Sequence, residues 1–249
     1  MKKILVPSLI ALAISSLASV AQAQTTPAEP ESTLSYNVGA VTDYRYRGIS
    51  QSRLQPALQG GVDYADKSGF YVGAWGSSIK WIKDAGGNAP VELDLYGGYK
   101  GAAGDLAYDV GFLRYEYSGN KLNPNANTNE IYGAVTYGLF TAKYSHAISN
   151  LFGFAESKNS GYLDLSAALD LGDGYSLVPH VGHQSVKGTD NSKFSYTDYA
   201  LTLNKDLGNG LSASGALIGT DAEKNAYVYA PTDKQLGKST VVLGLKYAF

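Results

Sequence analysis

The sequence predicts an all-β fold: a closed antiparallel up-and-down transmembrane β-barrel of twelve strands. Three observations carry this reading. Apolar residues recur at every second position through most of the chain, short connectors alternate with long polar ones, and the last strand is apolar at alternate positions and ends on Phe249. Period two excludes helices, because Leu163, Leu165, Leu169 and Leu171 would scatter around a helical wheel.

Composition narrows the field without deciding it. The 249 residues include 29 Gly, 20 Tyr and no Cys, which excludes a disulfide scaffold and any thiolate metal site. With 44% hydrophobic and 12% aromatic residues the chain has too much apolar surface for disorder. Its net charge of -2 gives no basic excess for nucleic acid. A mean hydropathy of -0.15 alone suggests a soluble protein. That average misleads where apolar and polar residues alternate.

The first segment reads as an export signal. Lys2 and Lys3 precede an apolar run from Ile4 to Val20, and Ala21-Gln22-Ala23 fits small-residue cleavage after Ala23. Residues 24–33 form a Pro/Thr/Glu-rich lead-in, expected to be mobile, and the barrel spans 34–249. The first strand is expected over 34–47, with Leu34, Tyr36, Val38, Ala40, Thr42, Tyr44 and Tyr46 facing lipid and Asp43, Arg45 and Arg47 facing inward. Further strands are expected at 55–65, 69–80, 91–101, 105–118, 129–138, 139–148, 160–171, 174–186, 195–206, 210–220 and 239–249. Within 105–118 the apolar phase shifts between Phe112 and Tyr115, which predicts a bulge or a strand end above the lipid. Turns such as Asp66-Lys67-Ser68 and Leu207-Gly208-Asn209 mark one end of the barrel, and connectors such as 119–128 and 221–238 mark the other.

The last strand separates this fold from a secreted sandwich. Val241, Leu243, Leu245, Tyr247 and Phe249 share one face, the pattern read as an assembly signal by the barrel-assembly machinery. Tyr64, Tyr99, Tyr137, Tyr144 and Tyr199 lie on the apolar phase, where a ring sits in outer-membrane lipid with its hydroxyl among headgroups.

The run from Asp43-Tyr44-Arg45-Tyr46-Arg47-Gly48-Ile49-Ser50 through Ser68-Gly69-Phe70-Tyr71-Val72-Gly73-Ala74-Trp75, followed by Glu92-Leu93-Asp94-Leu95-Tyr96-Gly97-Gly98-Tyr99, resembles the TorF-type porin family of proteobacteria. The resemblance implies an outer-membrane barrel labelled a porin. It is dense over 43–101 and looser beyond.

Inward charges are therefore the candidates for function. Asp43, Arg45, Arg47, Asp63, Glu92, Asp94, Lys100, Asp109, Lys143, Asp164 and Asp198, with Asp170 and Lys246, are expected to line a pore for small hydrophilic solutes. The acidic excess would favour cations mildly. These groups could equally pair with one another and brace a filled barrel. Two other readings stand beside the channel. His183-Gln184-Ser185 places an imidazole and a hydroxyl on one strand face, as a hydrolase would, with Asn191 available to orient the ring. The connector 221–238 would suit a surface receptor or adhesin. No cofactor or metal is expected.

Overall fold

The computed structural model describes residues 32–249. The expected signal peptide (1–23) and all but the end of the lead-in lie outside the described residues. Ser32 and Thr33, expected in the lead-in, already belong to the wall, where Ser32 pairs with Asp66.

Twelve antiparallel strands close on themselves. They are β1 (Ser32–Val41), β2 (Ala57–Asp66), β3 (Phe70–Ser78), β4 (Val91–Ala103), β5 (Leu106–Glu116) and β6 (Thr128–Tyr137). The circuit continues through β7 (Phe140–Ala147), β8 (Gly161–Ala167, resuming as Leu169–Gly172), β9 (Tyr175–Ser185), β10 (Tyr196–Gly208), β11 (Leu211–Thr220) and β12 (Thr240–Ala248). Each strand pairs with its sequence neighbours, and β12 returns to β1 with Asn37 opposite Ala248 and Val41 opposite Gly244. Closure leaves no unpaired edge, the condition a sheet must meet in hydrocarbon. No described helix is long and apolar enough to cross a membrane.

The wall's two faces follow the alternation. Leu34, Tyr36 and Val38 on β1, Leu201 and Leu203 on β10, and Val241, Leu243 and Leu245 on β12 all point outward and are exposed. An apolar belt around the whole circumference is far larger than the few hundred Å² that soluble monomers leave in contact with water. Inside, many of the tyrosines lie across glycines of adjacent strands. A Cβ at Gly73 would meet the Tyr96 ring, one at Gly111 the Tyr132 ring and one at Gly182 the Tyr162 ring, all at 2.5 Å or less. The abundance of Gly and Tyr in one chain is thus a single packing device, ring over bare backbone.

Two expectations need correction. The wall part of the first strand ends at Val41, and the chain then turns into the barrel, so Tyr44 and Tyr46 are buried inside while Tyr64, Tyr137, Tyr144, Tyr199 and Tyr247 are exposed outside as expected. There is no bulge near Phe112: β5 keeps an unbroken register with both neighbours, Phe112 pointing out and Leu113 and Tyr115 in. The apparent shift arises because Arg114 and Glu116 pair with each other on the outer side of the strand end. At Ala168 the strand is interrupted, but the Ala168 N–H still donates to Leu139 O at 2.9 Å, in register with the rungs before it, and the register shift falls between Asp170 and Gly172. Asp170 lies opposite the buried Ser176, on the inward phase, but at the turn end of the strand, where it is exposed and accepts a bond from Gly172 N.

Candidate functional site

The site is built by the connection between β1 and β2. After Val41, Thr42 N donates to Leu243 O at 2.9 Å and Leu243 N donates to Thr42 Oγ1 at 3.0 Å, which pins the point where the chain leaves the wall. Arg45–Tyr46 then pairs with Ile49–Ser50 as a small hairpin lying inside the barrel. Its turn is Arg47-Gly48, with φ of 47° and 79°, both left-handed. Only glycine fits the tip, because a Cβ at Gly48 would come within 2.5 Å of Thr220 Cγ2 and 2.8 Å of Asp198 Cβ on the facing wall.

Asp43 organises this hairpin. It accepts from Arg45 Nε at 2.6 Å, Ser50 Oγ at 2.5 Å and Ser52 Oγ at 3.1 Å. Arg45 also donates to Gly48 O at 2.8 Å and Lys238 O at 3.0 Å. Asp43 and Arg45 are therefore internal fastenings of the hairpin, and the structure places them off the wall on which they were expected.

The hairpin's side chains fill the half of the lumen nearer the long connectors. Tyr44 OH donates to Glu92, whose second oxygen accepts from Tyr117 OH at 2.7 Å. Trp75 meets the Tyr44 ring edge-on at 5.5 Å between centroids. Tyr46 OH and Tyr115 OH are 2.6 Å apart. Arg47 forms an ion pair with Glu130, Nη2 lying 2.8 Å and 3.1 Å from its two oxygens, and Nη1 donates to Gln184 Oε1 at 2.6 Å. Its guanidinium carbon lies 4.2 Å from the centre of the Tyr162 ring and 4.7 Å from that of Tyr46. Asp94 is buried nearby, and neither carboxylate oxygen has a hydrogen-bond partner among the described residues.

Next to this cluster His180 bridges two acids, Nδ1 lying 3.1 Å from Asp164 and Nε2 2.8 Å from Asp198. Tyr162 OH donates to Asp198 at 2.9 Å. Toward the short turns the lumen changes character. Asp63, Lys100, Asp109, Lys143 and Lys246 all remain partly exposed inside the barrel. Asp63 accepts from Tyr96 OH at 2.5 Å and Asp109 from Tyr71 OH at 2.6 Å, while Lys100 lies 4.0 Å from Asp109. Lys143 sits 4.1 Å from the centre of the Tyr132 ring. The lumen thus carries partly exposed charges among buried tyrosines toward the short turns, beneath a half filled and buried by the hairpin.

The long connectors close over the filled half. The connector 221–238 forms a hairpin of its own, Val228–Tyr229 with Lys234–Gln235, and its Tyr227, Tyr229 and Leu236 pack with Ile49 and Tyr196. Burial raises the Tyr227 phenol above its usual range, and the nearby Arg47 cation opposes that rise. This connector therefore caps the barrel mouth rather than standing free as a binding loop.

The groups considered for hydrolysis do not converge. His183 faces outward and its Nδ1 lies 3.1 Å from Thr197 Oγ1. Asn191 spends its amide on Ala155 O at 2.8 Å and Lys187 O at 2.7 Å, not on His183. Sequence reasoning missed Glu130, Gln184, Tyr162 and His180 as members of the inner cluster. For Glu130 the signal was present, since Ile131, Val135 and Tyr137 set the outward phase of β6 and leave Glu130 inside.

Residues 24–249 match the model of a family described as "Bacterial protein of unknown function (Gcw_chp)". The chain belongs to that family. The description assigns no activity, so the porin label implied by the sequence resemblance is not carried by it. No curated protein matches the sequence. Among solved structures the chain is similar to the KdgM porin, with a TM-score of 0.55 at 9% identity over 86% of this chain and 99% of that one. It is similar also to the NanC porin, with a TM-score of 0.54 at 11% identity over 87% and 99%. A third likeness is to "KdgM porin in complex with disordered oligogalacturonate", with a TM-score of 0.53 at 9% identity over 88% and 99%. At such identity the likeness establishes the closed antiparallel barrel shared with these porins.

Proposed function

We propose that this Gcw_chp protein is an outer-membrane channel for small hydrophilic solutes, exported by its N-terminal signal and held shut at the long-connector side by the inward hairpin. The observation that carries the reading is the division of the lumen. A purely structural barrel has no use for the partly exposed lumen charges Asp63, Lys100, Asp109, Lys143 and Lys246, and the hairpin that lies above them contributes no rung to the wall. The likeness to porins supports the same reading. The long connectors would face the cell exterior and both termini the periplasm.

Planar-bilayer recording of the refolded protein tests it. Discrete current steps with mild cation preference are expected, infrequent while the hairpin is docked. Absence of current from both this protein and a hairpin-excised form would overturn the channel reading and leave the barrel intact.

We propose further that the closing strand is the assembly signal. Phe249 exchanges backbone hydrogen bonds with Tyr36 at 2.8 Å and 3.0 Å, and its ring stacks on Tyr36 and Tyr247 at 5.7 Å and 5.5 Å. Deleting Phe249 removes two backbone bonds and two ring pairs at the seam, a loss of about 2–4 kcal/mol. Folded barrel, measured by heat-modifiable gel migration, should fall sharply in the outer-membrane fraction. Undiminished assembly would count against this role.

A further inference from the structure

We propose that the lumen wall carries a binding site for guanidinium-bearing solutes, and that Arg47 is a tethered occupant which such a solute displaces. This rests on the channel reading and names its ligand class. Glu130, Gln184 and Tyr162 form the site, on β6, β9 and β8. Two acceptors on different strands meet the two terminal nitrogens of one guanidinium, and an aromatic face lies 4.2 Å from its carbon. A planar fork satisfies that set together, whereas a compact ammonium would not span it. The Arg47 side chain is 5% exposed and Glu130 2%, so the contact is dry, where both charge pairing and the cation–π contact are strongest.

The wall holds this site without help from Arg47. Gln184 Nε2 donates to Gly161 O at 3.0 Å, which turns its Oε1 toward the guanidinium. Tyr162 is anchored by its hydroxyl to Asp198 at 2.9 Å, and Glu130 accepts from Tyr115 OH at 3.2 Å. The occupant, by contrast, sits poorly on its own backbone. Arg47 has φ of 47° at the first position of a tight turn, where Asn, Asp or Gly would be at ease. A left-handed arginine at that point is explained by what its side chain does rather than by the turn. The surroundings suit a cation that comes and goes: Asp164 and Asp198 are held by His180, but Asp94 lies in the same filled half with no hydrogen-bond partner of its own among the described residues.

The test uses full-length refolded barrel with ethylguanidinium, and ethylurea as its neutral isostere. Arg47→Gly empties the site while suiting the turn, and calorimetry should show ethylguanidinium binding at least tenfold more tightly than ethylurea. Glu130→Gln in that background should remove the difference. Unmutated protein provides a second measurement independent of any folding defect. Millimolar ethylguanidinium should shift emission from Trp75, which packs on Tyr44 of the hairpin, and raise the current, while ethylurea does neither. Equal binding of the two probes by Arg47→Gly, or no response of the unmutated barrel to ethylguanidinium, would overturn the proposal. A barrel that discriminates the probes yet passes no current under any condition would sustain the site and overturn the channel.

Discussion

Excising Tyr44–Ser50 will convert the closed barrel into one with steady current and a stronger preference for cations. None of these residues belongs to the twelve-strand circuit, so the wall keeps every rung of its ladder. Val41 and Ala57 already face each other across β1 and β2, so a shortened connection still spans the gap. Roughly halving a connection changes its closure entropy by only about 0.6 kcal/mol. The excision deletes the rings of Tyr44 and Tyr46, the Asp43–Arg45 fastening and the Arg47 ion pair from the filled half. It leaves Glu92, Asp94 and Glu130 on the wall with one fewer cation among them, and water can then reach them. The current should rise several-fold, and the zero-current potential in a salt gradient should move toward that of the cation. An excised barrel that folds but shows unchanged current and selectivity would mean that the hairpin is not the plug.

Most of the wall was legible because a strand in a barrel must obey period two on both faces at once, and the turn and connector lengths report which end is which. The plug was not, for a physical reason. Asp43-Tyr44-Arg45-Tyr46-Arg47 alternates just as the wall does, since a hairpin lying across the lumen has a pleat of the same period. Alternation says which residues share a face but not what the face meets. Tyr44 and Tyr46 were therefore placed in lipid when they meet Glu92 and Tyr115. Two local signs point the other way. Arg47-Gly48 before Ile49-Ser50 is a turn with a glycine at its tip, and two arginines two residues apart demand two acids, of which the neighbouring sequence supplies only Asp43. The other, Glu130, is 83 residues away, and only the circuit of strands brings it to Arg47. Phe112 shows the complementary error: Arg114 and Glu116 look like a break in phase until their mutual pairing on the outer surface is seen.

Glu130→Leu should undock the hairpin, and Arg47→Leu combined with it should restore docking. Removing the carboxylate leaves the Arg47 guanidinium buried with only Gln184 Oε1 as a hydrogen-bond acceptor, and an uncompensated buried charge of this kind costs about 3–5 kcal/mol. Unfolding the barrel is not needed to relieve it, because the hairpin can carry the cation out to water. The cost therefore appears as a shift of about 10² to 4 × 10³ in the docked-to-undocked ratio, at about 1.4 kcal/mol per factor of ten. The chain has two tryptophans, and Trp75 packs on Tyr44 of the hairpin, so its emission reports docking while current reports the opened path. The double variant places two apolar side chains where the ion pair stood, a replacement that is close to neutral in a dry interior. Its docking should lie nearer the unmutated protein than the Glu130→Leu single variant does, giving a coupling of at least about 2 kcal/mol in the double-mutant cycle. Additive effects of the two substitutions would show that the latch lies elsewhere in the hairpin, with the Tyr44–Glu92–Tyr117 chain and the Tyr46–Tyr115 bond as the remaining holds.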